Sequence, residues 1–315
     1  MRALIYILLF LAPTAYLELF YVPVHSGRHA EYQILKKELA HAKKRTNLLL
    51  GDSTARRFHF WMFKDSAARI NRPDDEWLNL GLGGSSIIEW ETLARRELND
   101  HPQLSAVVVL AIGGNYLNSY SVVAVPYISY LAGWEEVARF LFTGDLTFRD
   151  ALKIKAQGVF HSYSDRFEVL SKLFAFDPSL SNWVSRRVFP TRASIAIEAE
   201  RTRGGNQTRL GSVPDISIGR ERNLRYFRSL ADLAALRDKK ILFVLSPVHS
   251  NERASENHQT GKSLFIEACG ETKVNCLNLE SAFEDLNFES DQTHLKGAHV
   301  DRFFEMVEKK LKSLP

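Results

Sequence analysis

Short, nearly continuous apolar runs alternate with longer segments of mixed character along most of this chain. The first is Asn47-Leu48-Leu49-Leu50-Gly51, which breaks at once into Asp52-Ser53-Thr54. A strand buried on both faces reads as an unbroken apolar stretch. The run therefore predicts a central strand that enters a sharp turn at Gly51 and Asp52. Residues 76–80 predict a second strand, which ends in Gly81-Leu82-Gly83-Gly84-Ser85-Ser86. Residues 106–112 form the clearest β run and stop at Gly113-Gly114-Asn115. Residues 239–247 predict a fourth strand closed by Pro247, and residues 274–279 a fifth. Helical character separates them over residues 54–70, 89–99 and 224–238, and a last helix runs through Lys312. Such alternation predicts an α/β domain whose parallel sheet is covered on both faces.

Two stretches fall outside this rhythm. Ala3 to Leu17 is uncharged and strongly apolar, Glu18 interrupts it, and residues 19–24 resume it. A membrane span needs about 20 residues. With Arg2 and the α-amino group supplying a basic n-region, residues 1–24 predict an uncleaved signal anchor; a buried N-terminal helix is the alternative. The basic residues that follow, Arg28, Lys36, Lys37, Lys43 and Lys44, run against export, because positive charge is normally retained in the cytoplasm. Residues 25–45 predict a charged helical stalk. The second stretch, about 118–223, has aromatic clusters, helical segments near 135–141 and 164–175, and a glycine-rich loop at 204–208. It predicts a mostly helical insertion, or a lid over the sheet. From Arg186 to Arg228 there are ten arginines, no lysine and four acidic residues. Arginine binds carboxylate or phosphate in bidentate fashion, so Arg201, Arg203 and Arg209 are candidate contacts to an anionic substrate. A solvated basic surface fits the same composition.

Length and charge narrow the classes. A chain of 315 residues, 45% hydrophobic and 25% charged, suits one large or two smaller globular domains. A net charge of +4 is too mild to imply nucleic acid, and no nucleic-acid-reading motif is present. Cys269 and Cys276 lack the spacing of a metal or redox pair. A disulfide in an exported protein and two free thiols are both compatible with them.

The polar groups with chemical potential all follow strand-like runs, which in a doubly wound sheet converge on one edge. Ser53 follows the first run, Gly84 the second and Asn115 the third; Asp291 and His294 lie near the C-terminus. A serine hydroxyl needs a base to become nucleophilic at neutral pH, and histidine suits that role. The histidine in turn needs an acid to fix its tautomer, and Asp291 is three residues away. Backbone N–H at Gly84 and the Asn115 amide can stabilise an oxyanion. Ser53 can equally be a helix N-cap without chemistry. His294 and His299 come with no matching ligand set, so no metal or cofactor is expected. Asp52 is expected to satisfy nearby backbone N–H groups.

These blocks resemble the SGNH or GDSL-type esterases and acyltransferases. Gly51-Asp52-Ser53 resembles the first block, Asn79 to Gly84 the second, Gly113-Gly114-Asn115 the third and Asp291 to His294 the last, in the family's order. The resemblance implies a flavodoxin-like three-layer sandwich over residues 46–315, with Ser53 as nucleophile, His294 as base and Asp291 as its partner. Ser53 N–H, Gly84 N–H and the Asn115 amide would form the oxyanion hole. Tyr116 departs from the family, which often has Asp there. The N-terminal anchor and the run from His294 to His299 resemble the membrane-anchored branch that decorates surface polymers, such as the alginate O-acetylation and teichoic-acid D-alanylation proteins. That implies a periplasmic domain, an acylated polysaccharide as substrate and a membrane-bound O-acyltransferase as partner. A non-catalytic accessory protein of such a transferase is the competing reading.

Overall fold

The computed structural model describes residues 15–16, 19, 27–40, 42–56, 77–116, 122, 125, 127–159, 216–272, 274–289 and 294–314. The chain forms two compact units, one of residues 34–127 with 216–315 and the other of residues 1–33 with 128–215. Helix α1 (Gly27–Ala40) is followed by β1 (Asn47–Gly51), the single turn α2 (Ser53–Arg56), β2 (Trp77–Asn79), α3 (Ile87–Asp100), β3 (Ala106–Ala111) and the turn α4 (Gly113–Tyr116). Next come α5 (Ile128–Leu131), α6 (Trp134–Phe142) and α7 (Phe148–Val159). The sheet then resumes through α8 (Ile216–Ala235), β4 (Lys240–Leu245), α9 (Ser250–Arg253), α10 (Glu256–Thr272), β5 (Asn275–Asn278) and α11 (Val300–Lys312).

All five described strands are parallel, in the order β2-β1-β3-β4-β5. This is the flavodoxin-like order, and its switch point lies between β1 and β3, whose onward connections run to opposite sides of the sheet. The strands at the centre are apolar throughout because both their faces are covered. On one face Leu49, Val108, Leu110, Leu242 and Val244 pack with Phe303, Phe304, Val307 and Leu311 of α11. On the other, Phe243 meets Phe227 of α8 at 4.9 Å between ring centroids. Burying each such side chain contributes roughly 1.5–3 kcal/mol, so these layers fix the strand ends that carry the polar residues.

One glycine is dictated by contact. Gly51 adopts φ +155°, and a Cβ there would lie 1.9 Å from the Leu110 carbonyl oxygen. The last residue of β1 therefore has to be glycine for β1 and β3 to approach each other. At the other edge β5 is only partly buried, and a Cys269–Cys276 disulfide ties it to the end of α10.

Helix α8 starts at Ile216, well before the periodicity at Leu224 and inside the span read as an insertion. Gly219 and the dense arginines hide its start. Two of those arginines serve the fold: Arg220 pairs with Glu267 and Arg228 with Glu271, at 2.5 Å, both on α10. In the second unit, α6 matches the helix expected near 135–141, whereas α7 was not expected. Val137, Phe140, Ala151 and Ile154 are buried there, while Phe142, Phe148 and Leu152 are exposed. The apolar N-terminal run (but for residues 15, 16 and 19), the segment 164–175 and the loop 204–208 lie outside the described residues. Among the described residues no helix is long and apolar enough to cross a membrane.

Candidate active site

The turn after β1 decides which residue caps the short helix that follows. Asp52 takes that position: its Oδ1 accepts the Thr54 N–H at 2.7 Å and its carbonyl accepts the Arg56 N–H at 2.9 Å. The Ser53 hydroxyl is left for another partner, and His294 Nε2 stands 2.9 Å from Ser53 Oγ. Both side chains are half-buried. Ser53 follows the carboxyl end of β1, next to the switch point, where open α/β sheets place their ligands.

Asp52 does more than serve its own turn. Its Oδ2 accepts the Ile112 N–H at 3.1 Å and the Asn115 side-chain amide at 2.5 Å. Burial pushes its carboxyl pKa up, opposed by the bonds from Thr54, Asn115 and Ile112. The Asn115 amide carries two N–H donors. One is held by Asp52, the neighbour of Ser53. Expectation confined Asp52 to local backbone groups; the structure adds a bridge from the Ser53 turn to the Asn115 turn.

The Gly83-Gly84 turn is held on both sides. Asn79 donates to the Ala55 carbonyl at 2.9 Å and accepts the Gly81 N–H at 2.9 Å. The Ser85 hydroxyl lies 2.8 Å from the Gly51 carbonyl and accepts Trp90 Nε1–H at 2.8 Å. Glu89 accepts the Ser86 N–H at 2.7 Å, closing a capping box on α3. Gly84 itself is exposed, in the left-handed region at φ +70°. Tyr116, the departure from the family pattern, points into the core. Its hydroxyl donates to the Val244 carbonyl at 2.7 Å, and its ring packs against Trp90, Phe227 and Phe265. Burial and then the Asp52 charge hold its pKa well above the ordinary phenol value.

Behind Asn115 lies a buried polar group that sequence reading missed. His258 Nε2 is 3.0 Å from Glu280 Oε1, and Glu280 also pairs with Lys262. His258 packs directly against Gly113, where a Cβ would meet its carbonyl oxygen at 2.5 Å. Burial raises the Glu280 pKa, but the bonds from Lys262 and His258 outweigh it and the net shift is downward. No motif spacing marks this cluster, because its members lie on α10 and after β5.

The structure thus brings Ser53 and His294 together, and Asn115 beside Asp52. Asp291, Arg201, Arg203 and Arg209 lie outside the described residues. His299 is the N-cap residue of the last helix, with its ring 6.3 Å from that of Phe283. Among the described residues no group of three His, Cys, Asp or Glu is placed to hold a metal ion.

No protein-family model matches the chain, and no curated protein matches it. Solved structures that align with it include a GDSL-like lipase from Bacteroides thetaiotaomicron VPI-5482, at 10% identity and a TM-score of 0.44, covering 90% of this chain and 97% of that one. TesA aligns at 12% identity and a TM-score of 0.41, covering 85% and 98%. At these values the likenesses carry no functional weight, and the chemistry of the site is read from its own residues.

Proposed function

We propose that this chain is a serine acyl-ester hydrolase or O-acyltransferase. The observation that carries the reading is the 2.9 Å contact between Ser53 Oγ and His294 Nε2 at the switch point of the sheet. In the reaction, His294 Nε2 takes the Ser53 proton as Oγ attacks an ester carbonyl. The tetrahedral oxyanion is met by the Asn115 amide and by the backbone N–H groups of Ser53 and Gly84. His294 then returns the proton to the departing alcohol, leaving an acyl group on Ser53. Water or a sugar hydroxyl attacks that ester in turn, giving up its proton through the same histidine. Asp291 is the acid that would hold His294 in the correct tautomer.

The substrate we favour is an O-acetylated or acetyl-accepting polysaccharide outside the cytoplasm. Two features support this: the apolar N-terminal run suits a signal anchor, and the Cys269–Cys276 disulfide suits an oxidising compartment. Arg201, Arg203 and Arg209 would contact an anionic glycan, and a membrane-bound O-acyltransferase would supply the acyl group.

The test is hydrolysis of a chromogenic acetyl ester by the full-length protein. Ser53→Ala should lower kcat by about 10⁴-fold or more with an unchanged melting temperature; activity that survives the substitution sinks the assignment. A Ser53→Ala strain that still decorates its polymer normally points instead to the accessory-protein reading.

A further inference from the structure

His294 is carried on a hairpin rather than on the sheet. Phe288 and Leu295 form an antiparallel bridge, the Glu289 N–H donates to the His294 carbonyl at 2.8 Å, and the Lys296 N–H donates to the Asn287 carbonyl at 2.8 Å. The stem is the 3₁₀ turn Asp285–Asn287, where Lys296 Nζ also donates to the Leu286 carbonyl at 2.7 Å. What ties this stem to the start of α9 is the Asp285 carboxylate. Oδ1 accepts the Ser250 N–H at 2.8 Å, and Oδ2 accepts the Ser250 hydroxyl at 2.5 Å. Arg253 Nη2 lies 3.6 Å from Oδ1 and His249 Nε2 3.8 Å from Oδ2. The His249 ring meets Phe288 edge-on at 6.1 Å. The Ser250 bonds hold the Asp285 carboxyl below its ordinary range, so it remains an acceptor at both oxygens near neutral pH.

We propose that Asp285 is a positioning residue: by clamping the hairpin stem to Ser250 at the start of α9, it sets the reach of His294 to Ser53. It touches neither substrate nor the reacting atoms. This inference rests on the reading of Ser53 and His294 as nucleophile and base. A loosened stem lets His294 drift, and a displacement of about 1 Å at a reacting group can cost up to about 10²-fold in rate.

The test uses the full-length protein and a chromogenic acetyl ester, with Ser53→Ala, Asp285→Ala, Asp285→Asn and Ser250→Ala compared side by side. Asp285→Ala should lower kcat about tenfold with KM within twofold and the melting temperature within a few degrees. Asp285→Asn should recover most of that loss, because its oxygen still accepts the Ser250 N–H while the hydroxyl rotates to accept from the amide. The apparent pKa of the kcat/KM profile should stay in place in all active variants. Ser250→Ala should give a smaller loss, and the double variant with Asp285→Ala no further one. Unchanged kcat in Asp285→Ala overturns the proposal, as does full additivity of the two losses. An Asn variant as poor as the Ala variant, with a shifted pH profile, replaces positioning by an electrostatic effect. Ser53→Ala separates the two levels: if it retains activity, the nucleophile assignment itself has failed. If it is inactive while Asp285→Ala is normal, only the clamp has failed.

Discussion

The two halves of the candidate site are built differently. The half that carries Ser53 and Asn115 grows out of β1 and β3, and its polar side chains are wired together in the interior. Asp52 is fully buried and spans Thr54, Ile112 and Asn115. Asn79 and Ser85 link the Gly83-Gly84 turn back to the turn that carries Ser53. The histidine half is a hairpin held at its stem by a carboxylate that is 40% exposed. In the first half, a donor removed from a buried acceptor costs about 1–3 kcal/mol, so changes there affect folding and catalysis together. In the second, solvent can replace a lost bond, so changes there move rate with little effect on stability.

Three substitutions test that contrast. The largest effect is expected for Asn115→Ala. Loss of one oxyanion donor should lower kcat by about 10²–10³-fold, and the bared Asp52 should lower stability by about 1–3 kcal/mol, seen as a shift of the urea midpoint. A rate loss without any stability loss contradicts the wiring described for Asp52. Asp52→Asn comes next. Its amide faces two donors, the Ile112 N–H and the Asn115 amide, so one must turn away. The expected outcome is a kcat about tenfold or more lower, together with a lower melting temperature. A fully stable, fully active Asp52→Asn protein contradicts it.

The smallest effect concerns Glu280 and depends on pH. Its carboxyl is depressed in the folded protein, so its contribution to stability is present above the ordinary value of 4.5 and fades as pH falls through the folded value. Lys262→Met removes the cation that helps depress it. The variant should melt lower than the parent near neutral pH, and the gap should shrink as pH falls below about 4.5. Near neutral pH kcat should change less than in Asp285→Ala, because the pair braces the Gly113 turn without joining the hydrogen bonds of the site. A gap that widens on acidification contradicts the sign of the shift.

Much of the sheet was legible because strands buried on both faces have to be apolar. The runs at Leu48, Val107 and Ile241 became neighbours in the β1-β3-β4 core. The partly exposed β5 was legible too, though its boundaries shrank. Helix α7 was missed, since Phe148, Leu152 and Val159 are apolar on its exposed side and blur the period that marks a buried face. Within the candidate site, Ser53 and Asn115 stood out as polar residues after strand-like runs, and His294 as a histidine near the C-terminus. The partnership of Ser53 with His294 spans 241 positions, and no local pattern fixes a distance of that kind. Asp52 was read as a local cap because its short-range bond follows from turn chemistry, whereas its bond to Asn115 exists only once β1 and β3 lie side by side. His258 with Glu280, and Asp285 with Ser250, left no periodic or motif signal, for the same reason.

The most direct test of the central claim is to trap the acyl group on the enzyme. The full-length protein is mixed with a chromogenic acetyl ester, quenched in acid within the first turnovers, digested and mapped by mass spectrometry. An acetyl adduct is expected on the peptide containing Ser53, formed far more slowly in His294→Ala and absent in Ser53→Ala. An adduct on another residue, or ester turnover that continues in Ser53→Ala with no adduct at all, would contradict it.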